Sequence, residues 1–357
     1  MNILYLTDEL NYADGVSTHL FYLLSGLLKK QEVKLTIMCS GGDAIDKFKA
    51  EGIDTIVNKN LNHNFRNVKG FLSALKSVSD FCKKENIELI HSHNHYAANI
   101  ATASLKIRIS ADIKTVQTIH GIIPETGKLS HHSAGSYIAV NDHVFENLRR
   151  KIQKEESISL IYNGIDFKEN KSRKYNSILK FISAGRLEKS KGTDVFIDAV
   201  SKLSSSEREK ADFIIAGEGK EYEALKKLDL SLDTKIEFKG LIKDLRKFFE
   251  EADVLVITSG SEGLPMTILE AAAEKVLVIT SAFDGIENIL RNDSDGLVFP
   301  VGDSDKLKDI MERMINNPET IKTYTKNFYN TASAKFNSDL MSGKHFDLYR
   351  KLLTNNI

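Results

Sequence analysis

The chain has 357 residues, about twice the ~100 to 200 of a single domain, and its 49 basic residues offset 49 acidic ones. That balance lacks the basic field that holds nucleic acid without regard to sequence, and nucleic acid is excluded as the main partner. Hydrophobic content of 41% and charged content of 27% exclude a disordered or fibrous chain, and two cysteines, Cys39 and Cys82, in no metal-ligand spacing predict a cytoplasmic protein.

Residues 1–9 have neither the basic start nor the apolar run of a signal peptide, and no stretch reaches the ~20 apolar residues of a membrane span. Any membrane contact is therefore expected to be peripheral. Short apolar runs alternate with helix-period stretches, which predicts an α/β class with parallel sheets. In the first half, strands are expected at 3–6, 33–39, 54–57, 88–91, 115–120, 137–140 and 158–161. Between the first two, Leu20, Leu23, Leu24 and Leu27 keep the spacing of a core-facing helix. Asp14-Gly15-Val16 stands just before it, and Gly15 at the helix N-terminus would admit a phosphate or an acceptor to the backbone.

A helix expected over 67–84 carries Phe71, Leu72, Leu75, Val78 and Phe81 beside Lys69, Lys76, Lys83 and Lys84. A core-packed helix with a wet face is its ordinary reading, and docking on an anionic membrane is the alternative. His91, His93 and His95 share one face if their strand continues, which raises a metal reading beside a structural one. His131 and His132, in a loop with glycine and serine, carry no assigned chemistry. The polar stretch 168–177 is expected to be a linker. Strands resume at 179–183, 212–216, 235–238, 254–258, 276–280 and 296–299. The expected architecture is two doubly wound, Rossmann-like units facing a central cleft, with ligands at the carboxyl ends of the strands.

Three segments of the second half carry chemistry. Gly185-Arg186-Leu187-Glu188-Lys189-Ser190-Lys191-Gly192 follows the first strand there and supplies a planar fork and point charges suited to a diphosphate. Ala216-Gly217-Glu218-Gly219 half matches a dinucleotide fingerprint, lacks the third glycine, and reads equally well as a tight turn. Ser259-Gly260-Ser261-Glu262-Gly263-Leu264-Pro265 follows a further strand and opens a helix that contains Glu270. Eight helical steps from Glu262 to Glu270 would rise ~12 Å, beyond the ~5 to 9.5 Å of a glycosidase carboxylate pair. The two are expected to hold separate parts of one ligand. Against this stands the plain reading of Glu262 as a cap and Glu270 as a solvated helix position.

Glu262, seven residues, then Glu270, in a Ser-x-x-Glu-Gly-x-Pro-x-x-x-x-Glu setting, resembles the retaining glycosyltransferases of family 4, which have the GT-B fold. Asp284-Gly285-Ile286-Glu287 and Asp295-Gly296-Leu297-Val298 continue the likeness, with one glycine of the usual Gly-Gly-x-x-Glu lost. The resemblance implies that Glu262 contacts the donor sugar, Glu270 the ribose, and Arg186 and Lys191 the diphosphate, with Lys189 as the alternative lysine. It further implies that Gly217 and Gly219 line the donor site, that backbone beside Leu241 reads the base, and that Gly15, Gly185, Gly263, Leu264 and Pro265 contact the donor. His120 resembles the family histidine near the reacting sugar. No metal or other cofactor is implied. The expected partners are a nucleotide-sugar, with UDP favoured over GDP, and a glycan or lipid-linked acceptor, as in cell-surface polysaccharide or lipopolysaccharide synthesis. The domains are expected at 1–167 and 168–335, with a final helix in 336–357 returning toward the first. A nucleotide-sugar 2-epimerase of the same fold and a non-catalytic nucleotide-sugar-binding protein are the rivals.

Overall fold

The computed structural model describes residues 1–12, 14–65, 67–108, 112–123, 134–152, 157–168, 173, 175 and 178–354. His131 and His132, and most of the expected linker, lie outside the described residues. The chain divides into two units, Met1–Gly164 with Ser338–Ile357, and Ile165–Asn337.

The first unit holds strands β1 (Asn2–Leu6), β2 (Lys34–Cys39), β3 (Asp54–Val57), β4 (Leu89–Ser92), β5 (Lys114–Ile119), β6 (Ser136–Ala139) and β7 (Ile158–Leu160). They form a parallel sheet in the order β3-β2-β1-β4-β5-β6-β7. Helices α1 (Gly15–Leu28), α2 (Ile45–Ala50), α3 (Val68–Lys84), α4 (His95–Arg108) and α5 (Asp142–Arg149) join successive strands. Strands such as β1 and β4 are buried along nearly their whole length, as a sheet covered on both faces requires.

The second unit repeats the plan with β8 (Leu179–Ala184), β9 (Ala211–Ala216), β10 (Glu237–Gly240), β11 (Val254–Ile257), β12 (Leu277–Ser281) and β13 (Leu297–Phe299), ordered β10-β9-β8-β11-β12-β13 and again parallel. Its helices are α6 (Thr193–Ser201), α7 (Ser205–Arg208), α8 (Tyr222–Leu232), α9 (Leu245–Phe249), α10 (Met266–Ala273), α11 (Ser304–Asn316) and α12 (Ile321–Lys335). Phe181, Phe196, Phe213, Val256 and Ile279 lie in the core between its sheet and helices. The last helix, α13 (Ser338–Thr354), packs on α1 of the first unit.

One strand differs from its expected place. The strand expected at 235–238 runs Glu237–Gly240, because Lys235 takes a left-handed conformation (φ 58°) and cannot begin the ladder. Each sheet reverses its strand order once, between β1 and β4 in the first unit and between β8 and β11 in the second. Open α/β sheets bind ligands at such reversals, beyond the carboxyl ends of the strands. Among the described residues no helix is long and apolar enough to cross a membrane.

Candidate active site

At the reversal of the second unit, the loops after β8 and β11 are tied to each other. Thr258 Oγ1 donates to the Lys191 carbonyl at 2.8 Å, and the Gly260 amide donates to the Ser190 carbonyl at 3.4 Å. Gly192 makes this approach possible: it sits at φ 60°, and a β-carbon there would lie 2.6 Å from the Thr258 carbonyl oxygen. Lys191 Nζ then reaches Glu262 Oε1 at 2.5 Å, an ion pair whose side chains are only 26% and 14% exposed. Lys191 is thereby the lysine brought to Glu262, whereas Lys189 stays exposed. Arg186 is also exposed and pairs with Glu188 at 3.3 Å.

The Gly-x-Gly turn supports this loop from behind. A β-carbon on Gly217 would stand 1.9 Å from the Gly185 carbonyl oxygen, and one on Gly219 would stand 2.2 Å from that of Leu187. Glycine at both positions lets the chain after β9 press against residues 185–187, where the Leu187 amide donates to the Glu218 carbonyl at 2.8 Å. The Gly217 amide in turn donates to the Gly240 carbonyl at 2.8 Å, and Leu241 follows, half-buried.

Pro265 is the N-cap of α10, and no side chain caps that helix end. The Ile268 amide donates to the Pro265 carbonyl at 3.2 Å, and the helix N-terminus is otherwise of the kind that suits an anion or sugar hydroxyls. Gly263 and Leu264 lead into it, Leu264 buried. Glu262 lies in the loop, so only residues 266–270 of the stretch to Glu270 are helical, a rise of about 6 Å; the expected ~12 Å helical separation is corrected accordingly. Glu270 is 8% exposed, which removes the reading of it as a solvated helix position.

In the first unit, Gly15 opens α1, but the Asp14 carboxylate caps that helix by accepting from the Ser17 amide at 2.9 Å. A phosphate at the Ser17 amide would meet a negative charge already in place. His91 and His93 pack ring against ring, with centroids 4.3 Å apart, but His95 does not join them. β4 ends at Ser92, and His95 begins α4, where it is exposed. His91 belongs to a buried polar chain: its Nε2 lies 2.8 Å from Thr118 Oγ1, its Nδ1 lies 2.7 Å from Tyr349 Oη, and that hydroxyl lies 2.9 Å from Tyr5 Oη.

His93 Nδ1 also lies 3.0 Å from Nε2 of His120, and His19 of α1 packs against both rings, tilted on His93 and edge-on to His120. Burial, with His345 nearby, holds His120 down to about 3, so its imidazole is neutral at pH 7. His19 had no sequence reading of its own. Its one signal was an imidazole next to Leu20 on the helix that carries the core-facing leucine stripe.

Two family models match the chain: "Glycosyl transferases group 1" over residues 164–331 and "Glycosyltransferase Family 4" over residues 13–169. The chain belongs to the group 1 glycosyltransferases and has their GT-B fold. It is 25% identical over 333 residues to an uncharacterized glycosyltransferase of Methanocaldococcus jannaschii, covering 88% of this chain and 89% of that protein. It is 22% identical to the UDP-Gal:alpha-D-GlcNAc-diphosphoundecaprenol alpha-1,3-galactosyltransferase of Escherichia coli, covering 92% of each. Among solved structures, Anabaena Alr3699/HepE in complex with UDP and glucose superposes with a TM-score of 0.82 at 17% identity, over 98% of this chain and 99% of that one. The protein is a glycosyltransferase that uses nucleotide-sugar donors.

Proposed function

We propose that the chain transfers a sugar from a UDP-sugar to a hydroxyl of a lipid-linked or other glycan acceptor, with the anomeric configuration retained and no metal taking part. The observation that carries this reading is the Lys191–Glu262 pair at the sheet reversal of the second unit. It sets a cation and an acceptor of hydroxyl hydrogen bonds side by side, next to the open N-terminus of α10. The UDP-Gal donor of the Escherichia coli relative and the UDP bound in the Anabaena structure support the choice of base, and the diphosphoundecaprenol acceptor of that relative supports the lipid-linked class. Neither a 2-epimerase nor a non-catalytic binding protein is favoured beside relatives of this kind.

In this reading the diphosphate draws Lys191 away from Glu262, and Arg186 swings from Glu188 to the same phosphates. Glu262 is then released to accept from sugar hydroxyls, while buried Glu270 accepts from the ribose. The bond between the anomeric carbon and the phosphate oxygen breaks, and the acceptor oxygen bonds to that carbon on the same face. The acceptor's proton passes to the departing diphosphate, so no protein base is needed, and the direct same-face attack needs no protein nucleophile. Neutral His120 hydrogen-bonds the sugar. Lys191 and Arg186 act by stabilising the charge that grows on the leaving group. Peripheral membrane contact is part of the proposal: on α3, Val68 and Leu72 are 76% and 56% exposed beside the exposed Lys69 and Lys76.

Turnover measures the reading. Replacing Lys191 by Ala in a chain that still folds should lower kcat by ~10² to 10³, and unchanged kcat in that variant would reject the assignment.

A further inference from the structure

The first unit buries a cluster of imidazoles that the transfer reading uses only through His120. We propose that His19, His93 and His120 form a binding site for one divalent transition-metal ion of the zinc class. One ring nitrogen from each lies within 4.8 Å of the other two. The ring centroids make a near-equilateral triangle, 4.9 Å between His19 and His120, 5.3 Å between His93 and His120, and 5.4 Å between His19 and His93. A tetrahedral ion with bonds of about 2.0 to 2.1 Å holds its ligand nitrogens about 3.3 Å apart, so closure asks for ring movements of roughly 1 Å.

The free nitrogens point to a guest. Among the described residues, neither ring nitrogen of His19, nor Nε2 of His93, has a hydrogen-bond partner of ordinary geometry, although the Asn163 side chain stands close enough to His19 to favour its charged form. Buried polar groups are nearly always partnered, and one left alone is costly. An ion engages the three side chains at once, replacing the single proton that His93 and His120 share across 3.0 Å. Burial keeps all three imidazoles below their ordinary range and therefore unprotonated at neutral pH, the state a metal requires.

Ligand chemistry selects the ion. Three imidazoles without a carboxylate suit zinc, cobalt, nickel or copper and not magnesium or calcium, which take oxygen ligands. His120, half-buried where the other two are buried, marks the side from which an ion arrives. His91 stays outside the triad, because both its nitrogens are engaged by Thr118 and Tyr349. For its consequence, though not for the site itself, the inference rests on the transfer reading. A bound ion takes the lone pair of His120, so loading lowers turnover and a chelator restores it. The ion is an inhibitor of the transfer and not its cofactor.

The test uses the full chain freed of metal. Cobalt(II) is titrated and followed by the visible absorption of a tetrahedral ion, then displaced by zinc. The expected result is one equivalent bound, with His19→Asn and His93→Asn each weakening binding by at least the ~10- to 100-fold that even an outer partner of a metal ligand is worth. His63→Asn, which alters an exposed histidine, should bind as the unaltered chain does. Absence of a tetrahedral spectrum, survival of binding in both triad variants, or its loss in His63→Asn would overturn the site. Should the triad variants fail to fold, histidine ring NMR of the unaltered chain decides: zinc must shift the rings of His19, His93 and His120, and shifts confined to exposed histidines refute the proposal. Cobalt bound at the triad with turnover unchanged would leave the site standing and remove His120 from the transfer reading.

Discussion

Lowering the pH should unfold the first unit well before ordinary acid denaturation begins. His19, His91, His93, His120 and His345 lie together in it, and burial holds each below the ordinary histidine range, reinforced by neighbouring imidazoles for all but His345. For two of them the folded value is about 3 (His120) and about 4 (His345). In the unfolded chain all five return to about 6.5. Below that pH the unfolded state binds more protons than the folded one, so stability falls as the pH drops and levels off above about 7.5. Between pH 6.5 and 5.5 each such histidine removes about 1 kcal/mol, and five remove about 5 kcal/mol, comparable with the whole stability of many domains. The loss continues until the folded state takes up protons itself, at about 4 for His345 and about 3 for His120. Hydrogen exchange at the amides of α1 and β4 in metal-free protein reads this unit separately from the other. His345→Leu should remove one proton from the slope. An opening free energy of those amides that is the same at pH 7.5 and 5.5 would refute the reasoning.

Two further outcomes follow from local geometry. Gly217→Ala should destabilise the second unit by about 2 kcal/mol or more, since its β-carbon would stand 1.9 Å from the Gly185 carbonyl oxygen at φ 148°; Gly121→Ala, with nothing within 4 Å, should change stability by no more than about 0.5 kcal/mol, and equal melting shifts would count against the packing argument. Sedimentation with anionic liposomes should carry the protein down at low salt, and Leu72→Glu should abolish this; an unaltered sedimenting fraction in that variant would remove α3 as the docking face.

Local patterns were legible in the sequence and long-range ones were not. The strands were readable because each is a short apolar run between turn residues, and β10 moved only because Lys235 adopts a backbone conformation that propensity does not foretell. The Glu262 to Glu270 segment was readable because loop and helix are adjacent in the chain. Choosing Lys191 over Lys189 needed the left-handed turn at Gly192, which aims one lysine at Glu262 and leaves the other in solvent. The histidines show the limit most plainly. Spacing grouped His91, His93 and His95; the end of β4 removes only His95, while His91 and His93 keep their rings 4.3 Å apart, and the nitrogens that converge are those of 19, 93 and 120, brought together by α1 and the ends of β4 and β5. Nothing within any one segment announces that meeting.

Calorimetry with UDP on Glu262→Gln and Glu270→Gln tests the donor site most directly. UDP carries the ribose and the diphosphate but no sugar. Glu270→Gln should therefore weaken its binding by the ~1.5 to 3 kcal/mol of a hydrogen bond to a charged group, roughly 10- to 150-fold. Glu262→Gln frees Lys191 from the ion pair at 2.5 Å, so UDP should bind that variant at least as tightly as the unaltered chain, while turnover with the complete donor falls. Weaker UDP binding in Glu262→Gln, or undiminished binding in Glu270→Gln, would contradict the assignment of the two carboxylates.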